Sequence, residues 1–324
     1  MRIGVAGAGA LGFHHVRILR ELAGDAFAGF FEPDVARAAQ VAAELGVRAH
    51  ATLDALLAES DAVSIAAATQ AHHTVAMRCI AEGKHLFMEK PITATVAEAD
   101  AVLEAATAKG LVVAVGHGER VNRAVRAAWP VLDSPRFVSC TRFAPYTARG
   151  ADVSVVRDLM VHDLDLVLAM IGEPVARVEA IGARVIADTL DMAHAYLAFP
   201  SGAAASVTTS RVAGARARLM RVVQADGMIA LDLAAGTATH HRLRAAVDRA
   251  TLATSKVAVD PSAFSEAVEL TAPEGEPLRL EIAAWMGALR GEGTVLVSGR
   301  AGRDVLALAI EIEQVIARGA HAGA

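Results

Sequence analysis

Through the first 120 residues, short apolar runs alternate with alanine-rich helical segments. Residues 2–6, 27–31, 62–66, 84–88 and 111–115 are brief and apolar, which predicts buried strands. The stretches 11–22, 34–45, 72–81 and 95–108 predict helices, with Gly46, Gly83 and Gly110 as stops and Thr95 as a cap. Strands alternating with helices imply a parallel sheet covered on both faces. Beyond residue 120 the rhythm changes. A helix over 122–132 precedes alternating runs at 136–143, 175–185, 194–199, 203–211, 219–224 and 228–233. Pro200-Ser201-Gly202 and Asp226-Gly227 read as turns between antiparallel neighbours. Residues 155–167, 281–289 and 303–316 read as helices. The predicted class is α/β: a doubly wound parallel sheet over 1–120, then an α+β domain over 121–324 on an open, mostly antiparallel sheet.

Composition narrows the functions this fold could serve. A chain of 324 residues suits two domains, and its 54% apolar content is carried largely by alanine, with aromatics at 4%. A net charge of −5 without a long basic run argues against nucleic acid or a membrane surface as partner. Cys79 and Cys140 lie far apart and match neither a metal site nor a disulfide framework, which points to a reducing compartment. The opening strand leaves no room for a leader, and apolar stretches such as 305–310 fall short of the ~20 residues that span a bilayer. A cytoplasmic protein is expected, and no set of His, Cys or carboxylates has metal-binding spacing.

Gly7-Ala8-Gly9-Ala10-Leu11-Gly12 fits the dinucleotide fingerprint of a Rossmann fold, following a strand and opening a helix. Gly7 permits the tight turn, Gly9 lets backbone approach a pyrophosphate, and Gly12 allows close helix–strand packing, with Ala10 and Leu11 at the helix N-terminus. Glu32 ends the second strand 20 positions after Gly12, where a carboxylate would bind ribose hydroxyls and repel a 2′-phosphate. NAD is therefore preferred over NADP, with Arg37 expected to face solvent. Thr69 and His72 follow the third strand at the sheet edge where such folds bind ligand; for His72 a surface position is the alternative.

Two further groups carry candidate chemistry. Glu89-Lys90-Pro91 closes a strand, and Lys90 is one of only four lysines in the chain. A partly buried lysine can lose its proton near neutral pH, whereas a salt-bridged turn would account for the same residues. On the helix over 155–167, Asp158 and His162 are four apart and share a face, with Asp165 one turn further. That is the arrangement of a general base and its orienting partner, or an ordinary i,i+4 pair; Asp163 and Asp165 read as solvated or structural. His50, His240 and His241 sit in loop-like polar contexts, and His14 and His15 begin the first helix beside the phosphates.

The glycine loop, the segment Ala81-Glu82-Gly83-Lys84-His85-Leu86-Phe87-Met88-Glu89-Lys90-Pro91, the segment 115–122 and Asp158-x-x-x-His162 together resemble the Gfo/Idh/MocA oxidoreductases over essentially the whole chain. The resemblance implies a Rossmann domain followed by an open antiparallel sheet, with Glu89 and Lys90 beside the cofactor and a cis Lys90–Pro91 peptide. It implies that His162 takes the hydroxyl proton, Asp158 orients it, and Lys90 hydrogen-bonds the same oxygen. Which of Lys90 and His162 is the base stays open. Arg120, Asn122, Arg142, Arg149 and His162 are the substrate-binding positions it suggests. Residues 142–165 are similar to the branch that oxidises the 3-hydroxyl of UDP-N-acetylglucosamine, with other sugar or inositol dehydrogenases, or a non-catalytic dinucleotide sensor, as alternatives. Ser210-Arg211-Val212 with Arg216, Arg218 and Arg221 resembles the same branch, either as a diphosphate site or as an edge or interface cluster. A homodimer or homotetramer through the C-terminal sheet is expected. Two positions depart from the family pattern: 66–70 lacks the usual proline, and Arg157 replaces an aliphatic residue.

Overall fold

The computed structural model describes residues 1–148, 150–245 and 247–322. Arg149, one of the suggested substrate ligands, lies outside the described residues. The chain forms two compact units, one of Met1–Gly118 with Gly275–Ala307, the other of Glu119–Glu274 with the chain from Leu308 onward. The first unit gives way to the second at Gly118–Glu119, near the change of rhythm, and residues 275–307 belong to the first unit.

The first unit begins β1 (Ile3–Ala6), α1 (Ala10–Ala23), β2 (Phe27–Phe31), α2 (Val35–Leu45), β3 (Ala49–His50) and α3 (Leu53–Ala58). It continues β4 (Ala62–Ile65), α4 (Thr69–Ala81), β5 (His85–Glu89), α5 (Val96–Ala108) and β6 (Val113–Gly116). The strands pair in parallel in the order β3-β2-β1-β4-β5-β6, so the direction in which successive strands are added to the sheet reverses between β1 and β4. In doubly wound sheets, ligands bind beyond the strand C-termini at that reversal. Local signals fix the helix ends. The Asp34 carboxylate accepts from the Ala36 and Arg37 N–H groups to start α2, and Gly46 ends it in the left-handed region at φ 61°. Thr95 and Glu98 form a reciprocal capping box on α5.

The second unit contains α6 (Arg123–Ala128), β7 (Phe137–Phe143), a π-helical turn (Val156–Met160), α7 (Val161–Ile171), β8 (Arg177–Ala183) and β9 (Met192–Ala198). Then come β10 (Ala204–Ser210), β11 (Ala217–Gln224), β12 (Gly227–Asp232), β13 (Thr237–Leu243), α8 (Arg249–Thr254) and β14 (Ser265–Leu270). The eight strands run β14-β13-β12-β11-β7-β10-β9-β8, antiparallel except for the β7–β10 pair. That parallel pair follows from the long excursion through α7, β8 and β9 separating the two strands. Burial alternates along β9: Ala193, Ala195 and Leu197 are buried, while Met192, His194 and Tyr196 are partly exposed. Helices α6 and α7 pack on this sheet.

Two closing helices complete the fold. α9 (Pro277–Leu289) buries Ile282, Trp285 and Met286 in the same core cluster as Ile3, Val5, Phe30 and Phe87 of the first unit. α10 (Gly299–Ala322) contributes to both units. Among the described residues, no helix is long and apolar enough to cross a membrane.

Candidate functional site

The three glycines of the first turn meet different surroundings. Gly7 sits at φ 95°, and a Cβ there would lie 2.7 Å from the Ala67 nitrogen. At Gly12 a Cβ would lie 2.2 Å from the Gly7 carbonyl oxygen, so only glycine lets α1 approach β1 this closely. Around Gly9 nothing lies within 4 Å of such an atom. Helix α1 starts at this open position with no side-chain cap and no acidic residue in its first turn. Uncapped N–H groups at a helix N-terminus suit an anionic pyrophosphate, and the residues present fit a bound dinucleotide.

Glu32 follows β2 directly, as expected, and braces the loop. Its carboxylate accepts from the Ala8 N–H at 2.7 Å and the Asp34 N–H at 3.1 Å. Arg37 does not face solvent as its spacing suggested. Its Nε donates to the Ala8 carbonyl at 2.9 Å, and its guanidinium lies 5.7 Å from the Phe13 ring centre. The carbonyls of a tight loop lack partners, and a long forked donor reaches them.

The Lys90–Pro91 peptide is cis, as the resemblance implied. Glu89 is nearly buried, and its Oε1 accepts from His15 Nε2 at 3.0 Å. Gly116 leaves room for this carboxylate, since a Cβ there would lie 2.9 Å from Glu89 Oε1. The fully buried His15 also meets the Ser64 hydroxyl at 2.8 Å. Thr69 is the first residue of α4. His72, on the same helix, is 1% exposed, with Nδ1 2.9 Å from the Pro91 oxygen and Nε2 3.1 Å from the Ala67 oxygen. With both nitrogens occupied and almost no surface, it is neither the cofactor contact nor the surface residue suggested by its position.

In the second unit, Asp158 lies in the π turn and His162 is the second residue of α7, so the single α-helix expected over 155–167 is two segments. A Cβ at Gly150 would lie 3.7 Å from Asp158 Oδ2, which places that carboxylate against the loop before the turn. Arg157 pairs with Glu313 at 2.7 Å.

The suggested substrate-binding arginines are largely committed elsewhere. Arg142 is 2% exposed and binds Asp163 through two contacts of 2.8 Å and Glu119 at 2.9 Å. Burial alone would lower its pKa, but the Asp163 and Glu119 carboxylates raise it above the ordinary arginine value and keep it charged. With Nε, Nη1 and Nη2 each donating to a carboxylate and almost no exposed surface, Arg142 is held in the interior and not at an open binding surface. Arg120 binds Asp165 at 2.6 Å and 2.9 Å, and the Asn122 amide donates to Glu119 at 2.9 Å and to the Leu233 carbonyl at 2.8 Å. Asp163 and Asp165 are thus structural and buried, and Glu119, given no role from sequence, is the hub.

Arg211 likewise binds Asp191 at 2.7 Å and donates to the Gly150 and Val153 carbonyls. Arg218 stays 42% exposed, 3.9 Å from Glu119. Arg221 pairs with Ser139 and projects from the other side of the sheet, so the arginine group does not form one site. His50 and His240, read as loop residues, lie buried in β3 and β13. Burial pushes the Cys79 thiol up to about 12 and Cys140 well above its ordinary value, so neither is a ready nucleophile.

Comparison with known proteins agrees with this layout. Residues 1–117 match the oxidoreductase family with NAD-binding Rossmann fold, and residues 123–230 match the GFO/IDH/MocA C-terminal domain. The chain is 36% identical over 318 residues to UDP-N-acetylglucosamine 3-dehydrogenase of Acidithiobacillus ferrooxidans, covering 98% of this chain and 97% of the relative. The solved structure of that dehydrogenase superposes with a TM-score of 0.86. An inositol 2-dehydrogenase of Leifsonia xyli is 35% identical over 189 residues, 55% of this chain and 56% of the relative. At 18% identity and a TM-score of 0.76, a Bordetella pertussis dehydrogenase in complex with NADH and UDP-GlcNAcA shares the fold across 98% of this chain and 97% of that one. With its glycine loop and matches covering both units, this chain belongs to the Gfo/Idh/MocA family of NAD-binding oxidoreductases.

Proposed function

We propose that this protein is an NAD-dependent dehydrogenase that oxidises the 3-hydroxyl of UDP-N-acetylglucosamine. The observation that carries the reading is the 36% identity across 98% of the chain to a dehydrogenase of that name. When bound, NAD supplies the acceptor for the hydride that leaves the carbinol carbon. The uncapped N-terminus of α1 and the open space at Gly9 hold the pyrophosphate, and Glu32 takes the ribose hydroxyls. His162 removes the hydroxyl proton while Asp158 orients its ring, and Lys90 steadies the same oxygen by hydrogen bonding. Of the arginines named above, half-exposed Arg218 is the one we assign to substrate phosphate, since Arg142 and Arg211 are spent on internal carboxylates. Phe137, Leu219 and Val223 share the outer face of the second sheet and are each more than a third exposed, which supports association of copies through it.

The inositol dehydrogenase match favours a second reading, in which a free polyol is the substrate. A panel of UDP-N-acetylglucosamine, myo-inositol and free N-acetylglucosamine with NAD and NADP separates the two. Reduced-nicotinamide absorbance is expected with the nucleotide sugar and NAD, increased by an aminotransferase and amino donor that withdraw the ketone. Lys90→Ala is expected to lower kcat by about 10²-fold or more. Turnover of inositol without turnover of the nucleotide sugar overturns the substrate, and full activity in Lys90→Ala overturns the site.

A further inference from the structure

We infer that His15 and His72 form a two-sided clamp that sets the position of Lys90; this rests on the reading of Lys90 as a residue that touches substrate. The two histidines come from different helices, α1 and α4, and grip the residues on either side of the lysine. On the preceding side, His15 Nε2 donates to the Glu89 carboxylate at 3.0 Å. A carboxylate only accepts, so that nitrogen carries a proton, and His15 Nδ1 meets the Ser64 hydroxyl at 2.8 Å. On the following side, His72 Nδ1 reaches the Pro91 carbonyl oxygen at 2.9 Å. Its Nε2 reaches the Ala67 carbonyl oxygen at 3.1 Å, on the loop after β4. Both partners are acceptors, so a neutral ring donates to one at a time and a doubly protonated ring to both.

Exposures of 0% for His15 and 1% for His72 mean that no water competes for these bonds. A third surface closes the Glu89 side, because Gly116 at the end of β6 lies against the carboxylate. Lysine has a long flexible stem, so the place of its amine depends on where its Cα is held. The clamp ties that Cα to α1, the helix that opens at the glycine loop, and to the loop after β4. Cofactor cradle and lysine are thereby linked inside one unit. In this arrangement His15 and His72 are positioning residues. They act through Glu89 and Pro91 and do not meet substrate.

Amide side chains can replace one ring nitrogen at a time, which gives a test beyond mere destabilisation. Gln places its nitrogen where Nε2 lies, and Asn where Nδ1 lies. His15→Gln preserves the Glu89 contact and His15→Asn loses it. His72→Asn preserves the Pro91 contact and His72→Gln loses it. Expected values of kcat fall about 10–100-fold in H15N and H72Q, with several-fold smaller losses in H15Q and H72N and little change in KM for NAD. Thermal melting of all four reports stability separately. A readout that needs no substrate is the rate at which an amine-acylating reagent labels Lys90 in the cofactor-free protein, read by mass spectrometry against Lys84, Lys109 and Lys256. That rate is expected to change several-fold in H15N and H72Q alone. Activity losses that follow melting temperature regardless of which nitrogen is kept overturn the clamp, as does unchanged Lys90 labelling in all four. If Lys90→Ala retains activity while the labelling pattern holds, the clamp stands and the catalytic reading of Lys90 fails.

Discussion

A methyl group added at Gly9 has the opposite consequence from one added at Gly12. The Gly12 atom would meet the Gly7 carbonyl at 2.2 Å, so backbone must move; the Gly9 atom would enter open space. Gly12→Ala is expected to cost about 1–3 kcal/mol or more in stability. Gly9→Ala is expected to leave stability within about 0.5 kcal/mol while weakening NAD binding about tenfold or more. Urea unfolding and quenching of intrinsic fluorescence by NAD measure the two effects. The placing of the glycines in the first turn and of Glu32 after β2 could be read directly from the chain because it depends on local spacing. Arg37, His15 and His72 could not. Their partners lie on other elements, so a polar side chain bound for the interior looks the same in sequence as one bound for solvent.

At the level of elements, α7 carries the largest departure from expectation. Asp163 and Asp165 look like a solvated helix face, yet their side chains are 3% and 0% exposed. Their partners Arg142 and Arg120 lie 21 and 45 positions away, a separation that no periodicity reveals. Burial raises the Asp163 pKa and Arg142 opposes it, so the carboxylate stays ionised only while paired. Arg142→Met is expected to destabilise the protein by about 3–5 kcal/mol by stranding Asp163 and Glu119, and Arg142→Met with Asp163→Leu to recover part of that loss. Denaturant midpoints of the single and double variants provide the measurement. The π turn before α7 was equally hidden, since its extra residue changes hydrogen bonding without a composition signal. Strands β13 and β14 were missed for another reason. Thr237–Leu243 and Ser265–Leu270 place histidine, arginine and glutamate on exposed positions near a sheet edge, where apolar alternation fades.

Asp191 is one carboxylate through which acid acts on the stability of the whole molecule. Burial would raise its carboxyl, but N–H groups of Ile186, Val185 and Ala187 together with Arg211 hold it well below the usual carboxylate range. A folded value below the unfolded one means the stabilisation is complete above the unfolded pKa, about 3.9, and is lost as pH falls from there through the folded value. Asp191→Asn is therefore expected to differ most from the native protein in urea at pH 7 and progressively less below about pH 4. The parallel sheet followed by a mostly antiparallel one was readable from the rhythm of strands and helices. The return of 275–307 was not, because a helix pattern does not state which core receives it. That return bears on synthesis. Nascent chains generally fold their N-terminal parts first, yet Ile282, Trp285 and Met286 share a core with Ile3, Val5 and Phe30. The unit that contains β1 must keep an apolar face open while the entire second sheet is made, and it is sealed only once α9 has been synthesised.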